Sequence, residues 1–168
     1  DGRYLASSDF DGDVLLWDLA TNEPRYTWRH DGYVWHVAFN RNGTLLATVG
    51  SDNFLRLWNT RNGNQTRALR SSAPLRGLAI SPNGRQILTG SEEGEVILWE
   101  TSSGDKLMTR SEHEASVNAV AFSPDGNRAV SLDAVGLMII WNLSTGEAEQ
   151  SIQAHNAQAF ALLWMPKS

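Results

Sequence analysis

An imidazole, a hydroxyl and a carboxylate, on His30, Thr48 and Asp52, could together perform hydrolysis, with the hydroxyl as nucleophile and the imidazole as its base. The residue types argue against it. The hydroxyl belongs to a threonine in a strand-like stretch, and no strained nucleophile turn is present. Asp9, Asp11 and Asp13, or the pair Glu92-Glu93, could gather round a hard cation. The distal bidentate glutamate of a calcium loop is missing at the required spacing, and turn chemistry accounts for the Asp and Gly alternation. Gly12, Gly94 and Gly136 fall in β turns rather than ahead of a helix, so they form no phosphate cradle. The chain has no cysteine, which removes disulfides, thiolate metal sites and a cysteine nucleophile together. The expectation is therefore no catalytic residue, no metal and no cofactor.

The elements that carry these residues recur. Trp17, Trp58, Trp99 and Trp141 are spaced by 41, 41 and 42 residues, and Ser7, Thr48, Thr89 and Ser131 each lie ten residues before one of them. Phe39, Ile80, Phe122 and Trp164 keep the same beat at 41, 42 and 42. Such a period means a repeat architecture, in which one unit cannot bury its apolar face alone. Each unit reads as four short strands. In the second, Tyr33 to Phe39 alternates with period 2, Asn42-Gly43 marks a tight turn, Thr44 to Val49 and Phe54 to Trp58 are strands, and Gln65 to Arg70 is a polar edge. Pro82-Asn83-Gly84 and Pro124-Asp125-Gly126 repeat the turn. No helical period is found, so the fold class is all-β.

Bulk properties narrow the function. With 168 residues, 41% hydrophobic, 20% charged and a net charge of −5, the chain is an ordinary globular composition. The acidic balance argues against nucleic acid or an anionic membrane as partner, and the arginines at 67, 70, 76 and 85 read as scattered. No apolar run has the length of a bilayer span. The absence of cysteine fits a reducing, cytoplasmic setting.

Phe122-Ser123-Pro124-Asp125-Gly126, the Trp17-Asp18 pair and a histidine nine residues before the aromatic marker resemble the WD-repeat β-propellers, along the whole of residues 1–168. The resemblance implies blades of four antiparallel strands packed radially. It also implies a hydrogen-bond tetrad in each blade, met in full by His30, Thr48, Asp52 and Trp58. The third unit departs from it, with Ser71 in the histidine position and Glu93 in that of the aspartate. In the fourth, His113 and Ser131 are kept, Val135 stands at the aspartate position, and Asp133 lies two residues earlier. The first unit has Ser7, Asp11 and Trp17 without a histidine, while the last segment has His155 and a strand ending at Trp164.

These complementary ends lead to the expectation that the chain begins and ends within one shared blade. Four units are then half of an eight-bladed ring closed by a homodimer, or part of a larger propeller completed by the remainder of a longer chain. In the dimer, His155 of one copy would serve Ser7, Asp11 and Trp17 of the other. By the same resemblance, partners dock on a top face comprising Tyr33, Trp35 and Ser51, then Pro74, Arg76 and Glu92, then Ser116, Asn118 and Ala134, with Gln158, Phe160 and Phe10 from the shared blade. The resulting expectation is a non-catalytic scaffold for protein–protein interaction. The alternatives are a purely structural, self-associating half and a propeller with a ligand or enzymatic site in its channel.

Overall fold

A computed structural model describes residues 2–165; Asp1 and the expected turn approach at Pro166-Lys167-Ser168 lie outside them. Among the described residues the chain forms fifteen strands and no helix. The first sheet contains β1 (Tyr4–Ser8), β2 (Asp13–Asp18) and β3 (Glu23–Arg29). The second runs β4 (Val34–Phe39), β5 (Leu45–Gly50), β6 (Phe54–Asn59) and β7 (Gln65–Arg70). The third is β8 (Leu75–Ile80), β9 (Gln86–Ser91), β10 (Val96–Glu100) and β11 (Lys106–Arg110). The fourth is β12 (Val117–Phe122), β13 (Arg128–Asp133), β14 (Leu137–Asn142) and β15 (Ala148–Gln153). Each sheet is an antiparallel meander in chain order, the blade that alternation and short polar turns dictate.

The sheets follow one another face to face, with β1 against β4, β4 against β8 and β8 against β12. The core accordingly lies between blades. Val14 and Leu16 of the first sheet pack on Leu46 and Trp58 of the second, and Leu55 and Leu57 of the second pack with Ile87 and Trp99 of the third. Leu98 and Met108 then meet Val120, Phe122 and Trp141 of the fourth. Trp58, Trp99 and Trp141 are thus buried inter-blade residues while Trp17 is partly buried, and their period is the period of the packing.

Turn glycines bring the chain from one blade close to the next. Gly12 and Gly136 have φ of 93° and 86°, and their carbonyls accept the amides of His30 and His155 at 2.9 and 3.2 Å. A Cβ on Gly136 would stand 2.2 Å from the His155 carbonyl oxygen, so only glycine fits.

One expectation is corrected. The strand expected to end at Trp164 is not formed: residues 154–165 are irregular, with Ala159 buried and Leu162 partly buried against Ala119 and Leu132 of the fourth sheet. A strand requires a ladder partner, and this segment has none among the described residues. The outermost strand of the first sheet carries a buried aromatic residue. Trp28 on β3 is buried and stacks on Trp58 with ring centroids 5.1 Å apart and planes at 23°, while its Nε1–H donates to the Gly63 carbonyl at 2.7 Å.

Candidate functional site

Each sheet has a hydroxyl that accepts from its tryptophan, buried on Thr48, Thr89 and Ser131 and partly buried on Ser7. In the second, Trp58 Nε1–H donates to Thr48 Oγ1 at 2.9 Å, and the Thr48 hydroxyl meets His30 Nε2 at 2.7 Å. His30 Nδ1–H then donates to Asp52 Oδ2 at 3.0 Å, which fixes the tautomer because an ionised carboxylate only accepts. Arg56 Nη2 donates to the same oxygen at 2.8 Å. Burial acts to raise the Asp52 pKa, but the hydrogen bonds from His30 and Arg56 outweigh it and hold the carboxyl well below the ordinary range. Thr48 and His30 are buried and fully engaged, so no substrate reaches this hydroxyl.

The fourth sheet closes the same network with a different residue. His113 Nε2 meets Ser131 Oγ at 2.6 Å, Trp141 Nε1–H donates to Ser131 Oγ at 2.8 Å, and His113 Nδ1–H donates to Asp133 Oδ2 at 2.9 Å. The other oxygen of Asp133 accepts the amides of Val135 and Leu137 at 3.0 and 2.8 Å. Val135, at the position of Asp52, is exposed. Burial pushes the His113 imidazole below its usual pKa, against the opposing pull of Asp133.

The first and third sheets are incomplete. In the first, Trp17 Nε1–H donates to Ser7 Oγ at 2.9 Å. The turn carboxylate there is Asp9 rather than Asp11: its Oδ1 accepts the amides of Asp11 and Asp13 at 3.0 and 2.9 Å, as Asp133 does in the fourth sheet. Asp13 in turn pairs with Arg29 at 2.8 Å, so the three acids do not converge on a common point, and among the described residues no group of acids and histidines could hold a metal ion. His155 is exposed at the far end of the chain. In the third sheet Trp99 still donates to Thr89 at 2.9 Å, Ser91 Oγ replaces the carboxylate by accepting the Glu95 amide at 3.0 Å, and Glu93 is exposed. Ser71 is buried and its hydroxyl has no partner among the described residues.

The starting ends of the inner strands carry several of the residues expected to bind partners, Trp35, Arg76 and Asn118 among them, each partly buried. Each inner pair slips by one residue, with Val34 opposite Gly50 but His36 opposite Val49, Leu75 opposite Ser91 but Gly77 opposite Gly90, and Val117 opposite Asp133 but Ala119 opposite Leu132. The extra residues at these three bulges are Trp35, Arg76 and Asn118. A bulge re-aims the side chain it frees, and sequence spacing alone gives no sign of it. The Arg76 guanidinium lies 4.3 Å over the half-buried Trp35 ring and donates to Glu92 at 2.6 and 2.9 Å. Phe10 and Tyr33, 71% and 53% exposed, form an edge-to-face pair at 5.4 Å beside this cluster's sheet. Ser51 donates its amide to the Tyr33 carbonyl at 2.9 Å.

The remaining candidates stand apart from that pair. Asn118 donates to the Ala159 carbonyl at 2.9 Å and meets Ser116 at 3.2 Å, which ties it to the irregular last segment. Gln158 and Phe160 are exposed on that segment.

Three stretches, residues 22–59, 63–100 and 104–135, match the family model described as WD domain, G-beta repeat. The chain is also similar to a coronin-like protein of Saccharomyces cerevisiae, 42% identical over 59 residues, which covers 35% of this chain and 9% of that protein. Ribosome assembly protein 4 of Chaetomium thermophilum is 40% identical over 62 residues, covering 35% of this chain and 12% of its own length. Eukaryotic translation initiation factor 3 subunit I of Aspergillus terreus is 42% identical over 62 residues, covering 36% and 18%. The matches thus span less than a fifth of the length of these curated relatives.

Proposed function

Because the chain belongs to the WD domain, G-beta repeat family, we propose that it is a non-catalytic scaffold that binds protein partners on the surface bearing Phe10, Tyr33, Trp35, Arg76 and Glu92. The observation that carries this reading is the exposed Phe10–Tyr33 pair beside the Trp35–Arg76–Glu92 cluster. Aromatic and arginine side chains anchor interfaces because they bury large areas while keeping a polar handle. Buried networks in the second and fourth sheets hold the loops still, so docking loses little ordering entropy. Relatives named for ribosome assembly and as an initiation factor subunit support a role within a protein assembly. Glu92, the one acid among the expected contact residues, is engaged by Arg76, which speaks against a catalytic channel. No helix among the described residues is long and apolar enough to cross a membrane. A cytoplasmic setting is part of the proposal and draws on the cysteine-free sequence.

The test is quantitative protein capture with the wild-type chain and with Phe10→Ser/Tyr33→Ser and Arg76→Ala variants of unchanged melting temperature. Partners lost by these variants but kept by a control at the exposed Arg85, Arg85→Ser, support the reading. Identical capture profiles would end it.

A second reading concerns the first sheet, whose β1 lacks an inner strand while Ser7 holds Trp17 with no imidazole on its other side. We propose that a segment like residues 156–165, from a second copy or from the remainder of a longer chain, pairs with β1 and brings His155 or its equivalent to Ser7 and Asp9. Light scattering decides between the sources. A mass of about 37 kDa, twice the 18.6 kDa chain, supports a second copy, whereas a stable monomer leaves only a longer chain.

A further inference from the structure

At the end of β4 opposite Tyr33, a cleft of about 520 Å³ opens between the first and second sheets. Tyr4, Arg25, Phe39, Arg41, Asn42 and Arg61 line it, and among the described residues its lining holds no carboxylate. Arg25 is fixed in place: it is the extra residue of a bulge between β2 and β3, its Nη1 donates to the Tyr4 hydroxyl at 2.7 Å, and its guanidinium lies 5.3 Å over the Tyr4 ring. It also donates to the Arg61 carbonyl at 3.3 Å. The guanidinium groups of Arg41 and Arg61 have no hydrogen-bond or ion-pair partner among the described residues. Three cations thus share one cleft in a chain of net charge −5, an arrangement whose mutual repulsion stabilises nothing by itself.

The repeats supply an internal control. The counterpart cleft, between the third and fourth sheets, is lined by Gln86, Asp125, Asn127, Arg128, Ser144 and Glu149. Counted from the recurring aromatic residues, the counterparts of Tyr4, Arg41 and Arg61 are Gln86, Pro124 and Ser144, and the bulge position of Arg25 is held by Leu107. Its one cation, Arg128, is already bonded to Glu149 at 2.7 Å. The fold therefore requires arginine at none of these three positions, and the basic cleft is a property of this one blade junction.

We propose that this cleft binds a phosphate monoester carried on a peptide. A monoester dianion offers three strong acceptor oxygens and close to two charges, which three guanidinium forks match and a single carboxylate does not. The planar forks bind such oxygens in pairs, so a rigid Arg25 and two free arginines suit capture of one group rather than an extended field. The acidic chain as a whole repels polyanions such as nucleic acid or an anionic bilayer, while a lone monoester on a peptide meets only the local cations. The site goes beyond the proposed docking of partners near Phe10 and Tyr33, lying at the opposite strand ends.

The experiment follows the arginine side-chain Nε–H resonances of the whole chain during titration with three probes. These are a Gly-Gly-phosphoserine-Gly-Gly peptide, its unphosphorylated twin, and phosphatidylcholine vesicles doped with phosphatidylinositol phosphate. The expected result is saturable shifts of Arg25, Arg41 and Arg61 with the phosphopeptide alone. Affinity should fall at least tenfold in Arg41→Gln/Arg61→Ser, and the Phe10→Ser/Tyr33→Ser variant should bind as wild type. Neither arginine supports another side chain through its guanidinium, so the melting temperature of the double variant checks that folding is intact. Absence of saturation, equal binding of the twin peptide, undiminished binding by the double variant, or binding confined to the vesicles would each overturn the proposal.

Discussion

His113 donates to Asp133 at 2.9 Å, although Asp133 stands only two residues beyond Ser131 while Asp52 stands four beyond Thr48. The same imidazole is thus held by a carboxylate from either of two places in the turn. The nearer place is not open in every blade, for a steric reason. In the second sheet the position matching Asp133 is Gly50, where an added Cβ would lie 1.9 Å from the Tyr33 carbonyl oxygen, so the acid must come from farther along. In the fourth sheet Asp133 fits and also closes its turn through two backbone amides.

Replacing Asp133 by alanine leaves the His113 N–H and two turn amides without their acceptor. Unsatisfied buried donors cost about 1–3 kcal/mol each, so Asp133→Ala is expected to lose at least about 2 kcal/mol in urea unfolding. Adding Val135→Asp should restore little, because position 135 points to solvent. Full rescue by that second change would show that the turn selects the carboxylate by sequence position after all.

Acid should weaken the fold in two steps. The folded pKa of His113 lies below the ordinary 6.5, so between that value and the folded one the unfolded chain binds the extra proton. Stability is then complete above about pH 6.5 and declines as pH falls through this window. Asp52, whose folded pKa is also depressed, adds a contribution present above about pH 3.8 and lost on further acidification. Urea midpoints measured from pH 8 to pH 3 should show both limbs, and His113→Asn should flatten the upper one. A flat profile from pH 7 to pH 5 in the wild type would contradict the assignment.

Much of this was readable from the chain. The tryptophan period reflects the blade period because Trp58, Trp99 and Trp141 fill inter-blade layers, and Asn42-Gly43 and Asp125-Gly126 mark turns in which the glycine takes positive φ and the Asn or Asp side chain accepts the amide two residues on. The role of Asp9 was hidden, since three acids share five positions and only the backbone amides of Asp11 and Asp13 choose among them. Trp28 was hidden for another reason: it lies on an outer strand whose neighbours are polar, and its burial comes from the next blade. The bulges at Trp35, Arg76 and Asn118 depend on a slip in pairing that alternation does not encode. The basic cleft joins residues from four separate turns and strands, so no local window displays it.

The third sheet offers a test in the opposite sense. Ser71 occupies the histidine position with a buried hydroxyl that has no partner among the described residues. Removing a polar group already unsatisfied costs no hydrogen bond, so Ser71→Ala should leave stability unchanged or raise it by up to about 1 kcal/mol. A loss of more than that in urea unfolding would mean the hydroxyl has a partner in solution, such as an ordered water bridging it to Thr89.

Trp28 decides how firmly the three-stranded first sheet is held. Its ring stacks on Trp58, its Nε1–H reaches the Gly63 carbonyl, and the neighbouring Tyr26 hydroxyl donates to the Arg61 carbonyl at 2.9 Å. Trp28→Ala removes both the stack and the bond and should cost about 3–5 kcal/mol. Trp28→Phe keeps an aromatic ring in place and loses mainly the bond, which is worth about 1 kcal/mol. Amide exchange distinguishes local from global loss. If Trp28 fastens the first sheet to the second, the alanine variant should speed exchange in β1, β2 and β3 while β8 to β14 keep their protection. Uniform acceleration across all four sheets would instead make the blades one cooperative unit, with Trp28 contributing to the whole.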